Sequence, residues 1–286
     1  MTALPTADAG AVDLGGGRSL YAVQAGDGPD LVLIHGALTT SHDWLTGPAD
    51  ALAEEHRVTI VDRPGHGRSR RPRFVGTPRD QAEQIASGLE RLGIDRATIV
   101  AHSFGGLVAL AFAERFPERV EGLVLLAPIA FPEPRFIEHT LLAPRSMPLI
   151  GPILSSIGVT TQFDRTVLNI VHELMFAPQP APERWKATYP YERILDSEAL
   201  VMEGEDAAAI LPMSPAGTIG LRSIRVPVHI LQGTADQIVD RRRHAEPLSR
   251  LLPNARLTEI EGGGHMLHHS HSETVVEAIR TATAAA

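Results

Sequence analysis

The chain alternates between short apolar segments and longer amphipathic ones. The apolar segments are rich in Val, Ile and Leu, and their apolarity is continuous, which is typical of strands covered on both faces of a sheet. A further segment, at residues 21–24, is the candidate for an antiparallel edge strand. The buried strands that we predict lie at residues 31–34, 58–61, 98–101, 123–126, 226–231 and 255–260.

Helical patterns separate these strands. In residues 79–92, for example, Ile85, Leu89 and Leu92 fall on one face at helical spacing. Regular alternation of strands and helices is typical of a parallel sheet with helices on both faces. The pattern therefore predicts an α/β fold with a mostly parallel central sheet. The predicted helices lie at residues 49–55, 79–92, 106–116, 242–252 and 273–281.

The alternation is interrupted once, between residues 128 and 215. This stretch has no clear sheet strand, contains many prolines and carries helical patches at 163–176 and 191–202. We interpret it as a helical cap inserted into a core domain formed by residues 1–127 and 216–286. An insertion of this kind emerges over the crevice where open α/β sheets bind ligands. We therefore expect the cap to contact the substrate; an inert packing decoration is the alternative.

The absence of cysteine narrows the chemistry that the chain can perform. With no cysteine among 286 residues, disulfides, thiolate catalysis, iron–sulfur clusters and cysteine zinc sites are all excluded. Lys186 is the only lysine, and it lies in a polar stretch bounded by prolines, which does not favour a Schiff-base mechanism. No HExxH or paired-carboxylate spacing supports a metal site, so none is expected.

The charge and hydropathy of the chain indicate which partners and which cellular location to expect. The net charge is −8, from 34 acidic and 26 basic residues, so nucleic acid is not an expected partner. The basic run at 241–243 is interpreted as a solvated helix start. Residues 1–17 lack the features of a secretory signal, and prolines and Arg145 break the apolar stretch at 141–159. We therefore expect a cytoplasmic protein without a membrane span.

A candidate nucleophile follows the predicted strand at 98–101. Ser103 lies between this strand and a helix, flanked by Ala101 two residues before and Gly105 two residues after. This is the arrangement of a nucleophile elbow, whose sharp turn requires small residues at those two positions. The alternative is that Ser103 only caps the helix. The elbow reading is favoured because a strand precedes it and two glycines follow.

A serine nucleophile needs a base and an acid that orients the base. His265 follows the last predicted strand in a glycine-rich turn, and Asp236 follows the strand before it. The chain order Ser103, Asp236, His265 is the order of nucleophile, acid and base in α/β hydrolases. His268, His269 and His271 are alternative bases, but each is more typical of a surface histidine.

Two backbone N–H groups are predicted to bind the oxyanion that forms during acyl transfer. One belongs to Phe104, directly after the nucleophile, and the other to Ala37, in the loop after the strand at 31–34. His35 in the same loop precedes a glycine turn, and we interpret it as structural rather than as a base.

These motifs together resemble the α/β-hydrolase superfamily along nearly the whole chain. The matching segments are 35–36, 62–69, 102–106, 233–236 and 264–265. The resemblance is to cofactor-free esterases and lipases with a helical cap between the sixth and seventh strands. It implies a structural role for the turn at 62–69. Haloalkane dehalogenases and epoxide hydrolases of the superfamily carry aspartate at the elbow position, so Ser103 argues against both activities.

The expected function is hydrolysis of a carboxylic ester with an apolar acyl or alcohol group, through an acyl-serine intermediate and without a cofactor. Acyl transfer, perhydrolysis or hydrolysis of a carbon–carbon bond at the same triad remains open, as does a non-catalytic binding module. The expected partner is a small-molecule ester, and the oligomeric state is left open. The predicted substrate contacts are Phe131, Met147, Met175 and Met266, and packing inside the cap is the alternative for the first three.

Overall fold

A computed structural model describes residues 8–133, 138–211 and 219–284 of the chain. Its centre is an eight-stranded sheet with the strand order β1-β2-β4-β3-β5-β6-β7-β8. The pairs β1–β2 and β2–β4 are antiparallel, and the remaining pairs are parallel. The strands are β1 (Asp8–Gly15), β2 (Arg18–Ala25), β3 (Asp30–Ile34), β4 (Arg57–Val61), β5 (Ala97–His102), β6 (Val120–Leu126), β7 (Val228–Gly233) and β8 (Ala255–Ile260).

The register of the parallel strands aligns their carboxyl ends. Ile34 of β3 is level with Ala101 of β5, and Ala101 is level with Leu125 of β6. The loops that follow β3, β5, β7 and β8 therefore leave the sheet at the same edge, where open α/β sheets bind ligands. All four of the loops that carry predicted site residues begin at this edge.

Helices cover both faces of the sheet, and each face has its own apolar core. On one face Ile85, Leu107 and Leu248 pack against strand residues of β3, β5 and β6. On the other face Trp44 and Ile279 pack against side chains that point the opposite way from the same strands. The core helices are α1 (His42–Leu45), α2 (Ala49–Leu52), α3 (Pro78–Arg91), α4 (Phe104–Arg115), α10 (Ala245–Leu251), α11 (Leu267–Ser270) and α12 (Ser272–Ala284). The predicted fold class, a mostly parallel sheet with helices on both faces, is confirmed.

The predicted edge strand is a strand, but it does not lie at the edge. Residues 21–24 belong to β2, which pairs with β4 on one side and with β1 on the other. The outer strand β1 has the sequence DAGAVDLG, and most of its residues are exposed. It has no apolar run that would have revealed it, because backbone hydrogen bonds to β2 are enough to form an exposed outer strand.

The described residues between β6 and β7 are mainly helical. The helices are α5 (Ile150–Thr160), α6 (Phe163–Phe176), α7 (Glu183–Thr188), α8 (Tyr191–Ile194) and α9 (Ser197–Ala209), preceded by short helical turns at Glu138–Leu142 and Ala143–Ser146. A separate apolar cluster that includes Leu168, Phe176 and Trp185 holds α6 and α7 together. The predicted boundary between residues 215 and 216 lies outside the described residues.

Helix α5 packs in an unusual orientation. Its buried residues are the small ones, Gly151, Ser155 and Gly158, whereas its large aliphatic side chains are exposed. A Cβ added to Gly151 would lie 1.9 Å from the carbonyl oxygen of Arg145, so this side of the helix meets its neighbours at backbone distance. Leu149, just before the helix, is 84% exposed. None of the described helices is both long enough and apolar enough to cross a bilayer.

Candidate active site

Ser103 lies at a sharp turn between β5 and α4. Its backbone angles are φ 53° and ψ −120°, a conformation that a residue with a side chain adopts only when its surroundings hold it. Three hydrogen bonds hold it here. The Ser103 N–H donates to Leu126 O at 3.0 Å, and its carbonyl accepts from Gly106 N–H at 2.9 Å and Ile129 N–H at 3.0 Å.

The small residues around the turn are required by close backbone contacts. A Cβ on Gly105 would lie 2.5 Å from His35 O and 2.9 Å from Ile34 O. A Cβ on Gly36 would lie 3.0 Å from the Ser103 Cβ. Residues 35–38, which we call the oxyanion loop, therefore pass directly beside Ser103.

His265 and Asp236 form a hydrogen-bonded pair. The His265 Nδ1 is 2.9 Å from Asp236 Oδ2, and both side chains are almost completely buried. A carboxylate only accepts hydrogen bonds, so Nδ1 carries the proton and Nε2 presents a lone pair. This is the tautomer that a general base acting on a hydroxyl needs.

Asp236 is held in place by backbone donors. Its Oδ1 accepts from the N–H groups of Ile238 at 2.8 Å and Val239 at 2.9 Å, and its Oδ2 also accepts from Gln232 Nε2 at 2.9 Å. Burial raises the pKa of Asp236, but the neighbouring His265 and these amides outweigh burial and lower it below its usual value. The carboxylate is therefore ionised at neutral pH.

The two predicted oxyanion donors lie on either side of the elbow. Phe104 is the first residue of α4, so its N–H has no acceptor within the helix. Ala37 lies in the oxyanion loop. Among the hydrogen bonds of the described residues, neither the Phe104 N–H nor the Ala37 N–H is a donor.

Ser103 and His265 line the same cavity, which has a volume of about 630 Å³. Its wall on the core side includes Ala37 and Leu38, and on the insertion side an apolar wall lies beside Glu133 and Glu138. The apolar wall comes from Leu142 and from residues 171, 174 and 175 of α6, whose spacing of three and four places them on one helix face. That spacing is the signal that could have identified Val171 and Leu174 as cavity residues.

Of the four predicted substrate contacts, one lies in the described lining of the cavity. Met175 lines the cavity. Met147 is 47% exposed, Met266 is buried in the apolar cluster of α6 and α7, and Phe131 packs against the sheet core. None of these three belongs to the described cavity lining.

The basic run at 241–243 does not begin a helix. It forms the turn before α10 and lines the cavity rim together with Glu133 and Asp240. Arg241 pairs with Glu246 and Glu259, and Arg243 pairs with Glu133. Arg242 and Arg243 are exposed as predicted, but the helix begins only at Ala245, so the predicted helix start is wrong.

The prediction that His268 and His269 lie at the surface is also wrong. The side chain of His268 is fully buried and that of His269 nearly so, because both contact Asp43 in the core. Their Nε2 atoms lie 3.0 and 2.9 Å from the carboxylate oxygens, which also accept from Trp185 Nε1 at 3.2 Å. Burial raises the pKa of Asp43, but the two histidines outweigh burial and hold it well below its usual value.

His102 and His35 are buried and make structural hydrogen bonds. The His102 Nε2 donates to the His265 carbonyl at 3.1 Å, which helps to fix the loop that carries the predicted base. The His35 Nε2 accepts from Arg63 N–H at 2.9 Å, and its Nδ1 donates to Gly36 O at 2.8 Å. Burial is the main reason why the pKa values of both histidines are well below the usual value. These contacts agree with the structural interpretation of His35.

Within the described part of the chain, two buried clusters contain ligand types that metals use. Asp43, His102 and His268 form one cluster, and His66, Glu203 and Asp206 form the other, with the potential ligand atoms within 4.8 Å of one another. In the first cluster, hydrogen bonds from His268 and His269 already occupy the carboxylate. In the second, Arg63 pairs with Asp206 at 2.5 Å. Internal hydrogen bonds and ion pairs therefore account for both arrangements.

Comparison with known proteins agrees with this fold. A sequence model for the alpha/beta hydrolase fold matches residues 29–272. A Bacillus subtilis protein named as an uncharacterized carboxylesterase, nap, is 28% identical over 246 residues, which cover 84% of this chain and 74% of that protein.

Solved structures show the same fold. The carboxylesterase CesB from Bacillus subtilis superimposes with a TM-score of 0.70 at 21% identity, covering 97% of this chain and 91% of that one. The epoxide hydrolase CorEH superimposes with a TM-score of 0.78 at 20% identity, covering 98% and 99%. With the family model matching most of its length, the protein belongs to the family with the alpha/beta hydrolase fold.

Proposed function

We propose that the protein hydrolyses a carboxylic ester through an acyl intermediate on Ser103. The observation that carries this proposal is the hydrogen bond between His265 Nδ1 and Asp236, with His265 and Ser103 lining one cavity. The bond leaves the His265 Nε2 free to accept a proton from a hydroxyl. The carboxylesterase names of a sequence relative and of a structural neighbour support the substrate class.

The first half of the reaction transfers the acyl group to the enzyme. His265 Nε2 takes the proton of Ser103 Oγ as Oγ bonds to the ester carbon, and the carbonyl electron pair moves onto its oxygen. When the carbonyl re-forms, the bond to the leaving oxygen breaks, and that oxygen takes the proton from His265. Asp236 stabilises the cationic imidazole between these two steps.

The second half repeats these steps with water. His265 removes a proton from water as its oxygen attacks the acyl carbon, and Ser103 Oγ regains a proton when the acid leaves. The N–H groups of Ala37 and Phe104 stabilise the oxyanion in both halves. Each such donor contributes about 2.7–4 kcal/mol to the transition state in comparable enzymes.

The cavity supports an ester with an apolar group. Leu142, Val171, Leu174 and Met175 form an apolar wall on its insertion side beside Glu138, and such a wall favours an alkyl chain over an anionic group. Acyl transfer, perhydrolysis and carbon–carbon hydrolysis use the same residues and differ only in the nucleophile or bond that the cavity admits. Our primary proposal is that the substrate is an ester and that water accepts the acyl group.

A fluorophosphonate probe, read out by mass spectrometry, tests the serine nucleophile. We expect wild-type protein to be labelled on the peptide that contains Ser103, and Ser103→Ala to be unlabelled. Ser87 lies on the exposed face of α3, where its hydroxyl donates to Glu83 O, so Ser87→Ala serves as the control and is expected to label normally. Equal labelling of wild type and Ser103→Ala would contradict the proposal.

A series of p-nitrophenyl esters tests the apolar wall. We expect kcat/KM to rise from acetate to butyrate and longer acyl chains, by roughly tenfold for every two buried methylene groups at about 0.8 kcal/mol each. Replacing Leu174 with Ser should remove most of that rise while leaving acetate hydrolysis less affected. Activity that does not change from acetate to octanoate would rule out an apolar acyl site.

A further inference from the structure

We propose that Glu203 and Tyr189, two side chains of the helical segment between β6 and β7, are positioning residues that hold the oxyanion loop in its catalytic conformation. This inference rests on the proposed serine-hydrolase function. The helical segment would then support the oxyanion loop in addition to selecting the substrate. Neither residue lines the cavity with Ser103, and both act through Leu38.

Leu38 has a backbone conformation that needs support. Its φ is 54°, in the left-handed region where a leucine is rare. Glu203 Oε1 accepts the Leu38 N–H at 2.8 Å, and the Tyr189 hydroxyl donates to the Leu38 carbonyl at 2.5 Å. The two peptide groups that flank the Leu38 Cα are therefore both fixed by side chains more than 100 residues away in the sequence.

The preceding peptide group is fixed from the core side. The Gly36 carbonyl accepts from Arg63 Nη2 at 3.2 Å, His35 Nδ1 at 2.8 Å and Thr39 Oγ1 at 3.2 Å. In a trans peptide the carbonyl and the following N–H point in opposite directions. Fixing the Gly36 carbonyl thus fixes the direction of the Ala37 N–H, the predicted oxyanion donor. Glu203 and Tyr189 fix the two peptide groups that follow, which keeps Leu38 in its left-handed conformation and Ala37 in place.

Glu203 is suited to this role because it is buried, ionised and itself held in place. It is 3% exposed on α9, and its Oε1 is 3.4 Å from His66 Nε2. Burial raises the pKa of Glu203, but His66, Arg63 and the Leu38 N–H outweigh burial and lower it. Burial also raises the pKa of Tyr189 well above its usual value, so the phenol stays protonated and donates.

Ion pairs attach α9 to the core beside this contact. Asp206 pairs with Arg63 at 2.5 Å, and Glu205 pairs with Arg71 at 2.5 Å. Glu205 lies two residues from Glu203 but contacts Arg71, Arg73 and the Phe74 N–H instead of the oxyanion loop. It provides a matched control, since its loss disturbs the attachment of α9 without removing a bond to Leu38.

The experiment compares Glu203→Ala, Glu203→Gln, Tyr189→Phe and Glu205→Gln by kcat and KM for p-nitrophenyl butyrate. Misdirection of one oxyanion donor acts on the transition state, so Glu203→Ala should lower kcat by about 10- to 100-fold with KM changed less than about threefold. Glu203→Gln keeps an acceptor oxygen and should retain kcat within about threefold. Tyr189→Phe should lower kcat by about 3- to 10-fold, and Glu205→Gln by less than about threefold.

Hydrogen exchange provides a readout that does not depend on activity. The amide exchange of the peptide that covers residues 35–38 should be faster in Glu203→Ala than in wild type, and unchanged in Glu203→Gln. If Glu203→Ala does not fold, Tyr189→Phe gives the same comparison with a smaller perturbation. Unchanged kcat and exchange in Glu203→Ala and Tyr189→Phe would overturn the inference, and so would an equal loss in Glu203→Gln or Glu205→Gln. Wild-type protein that hydrolyses no ester and takes no fluorophosphonate label would instead refute the proposed function.

Discussion

The backbone of Ser103 carries a conformation that its own side chain disfavours. A positive φ at a serine persists because hydrogen bonds to Leu126, Gly106 and Ile129 fix both of its peptide groups. Strained residues of this kind cluster at functional sites, where the strain aims a reactive group. At Ser103 the turn places the residue beside the oxyanion loop and at the start of α4.

Asp236 determines which nitrogen of His265 carries the proton, and Asp236→Asn tests this. Two backbone N–H groups donate to Oδ1, so the asparagine oxygen should occupy that position and turn its NH₂ group toward His265. The imidazole would then accept at Nδ1 and carry its proton on Nε2, where it cannot accept one from Ser103. We expect kcat to fall by about 10³- to 10⁴-fold, as for the equivalent change in other triads.

The control for this change is Asp95→Asn, at an exposed position just before β5, which should leave kcat unchanged. The measurement is kcat for p-nitrophenyl acetate with unfolding curves to confirm that each variant is folded. A loss of less than about tenfold in Asp236→Asn would show that another group orients the base.

At the residue scale, the candidate site was predictable from the sequence where a residue type is tied to a local pattern. Ser103, Asp236 and His265 each follow a strand, and the structure brings Asp236 and His265 into hydrogen-bond contact. Prediction failed where burial depends on a distant partner. His268 is buried because Asp43, 225 residues earlier in the chain, accepts its hydrogen bond, and no spacing in the sequence signals that pair.

At the scale of elements, the elbow is a strand, a turn and a helix packed at backbone distance against the oxyanion loop. The packing is tighter at Gly105 than at Gly36 of the oxyanion loop. Helix propensity alone predicts that Gly105→Ala stabilises α4 by about 1 kcal/mol. The added Cβ would, however, lie 2.5 Å from His35 O, a backbone atom that cannot move away freely.

We therefore expect Gly105→Ala to destabilise the protein by about 1–3 kcal/mol and to lower kcat, because the oxyanion loop must shift. Gly122→Ala in β6 is the matched control, since its Cβ would meet its nearest neighbour, Pro227 O, at an ordinary 3.6 Å. Urea unfolding and kcat on both variants test this. A Gly105→Ala protein that is more stable than wild type would mean that the elbow is not packed as described.

The elements themselves were predictable to different degrees. All six predicted strands are present, and the five that carry continuous apolar runs are buried. The prediction that residues 255–260 form a buried strand is wrong, because β8 is the outer strand of the sheet and only Ile260 in it is buried. Helix α9 was harder to interpret, because Glu203, Glu205 and Asp206 on its surface resemble solvent-facing residues. All three are buried against Arg63, Arg71 and Leu38 of the core, and only the tertiary structure supplies those partners.

At the scale of the whole molecule, buried histidines couple folding to pH. Burial lowers the pKa of His172 to about 4. Between pH 4 and its ordinary value of about 6.5, the unfolded chain binds a proton at this residue that the folded chain does not. The free energy of unfolding must therefore fall as pH falls through this window. His35, His102 and His268 act in the same direction.

His172→Phe isolates one of these protons. The ring of His172 packs edge-on against Trp185 and Tyr189, a setting that an aromatic ring without a charge also suits. Between about pH 6 and pH 4.5, the unfolding free energy of the variant should depend less steeply on pH than that of the wild type. We expect the difference between the two slopes to be about 1.4 kcal/mol per pH unit. Urea unfolding at several pH values measures this slope.

The control for His172→Phe is Phe176→Leu, which alters packing against the same Trp185 without removing a titratable group. It should shift the whole curve and leave its slope unchanged. Parallel curves for wild type and His172→Phe would show that His172 is not held neutral in the folded protein.

The molecule as a whole joins two sets of elements around one cavity. The sheet edge contributes Ser103, Asp236 and His265, and the helices between β6 and β7 contribute the apolar wall and the bonds to Leu38. The net charge led us not to expect nucleic acid, and the absence of cysteine led us not to expect thiol chemistry. Neither property determines how these residues are arranged around the cavity. The chemistry depends instead on which loops leave the same edge of a parallel sheet.

The most direct test of the account is to trap the acyl group on the enzyme. p-Nitrophenyl acetate has a good leaving group, so acylation should be faster than deacylation, and acid quenching within the first turnover should preserve the intermediate. Mass spectrometry of the digested protein should then find one acetyl group on the peptide that contains Ser103, and none in Ser103→Ala. Turnover of the ester with no acetyl group on that peptide, or with the group on another residue, would contradict the account.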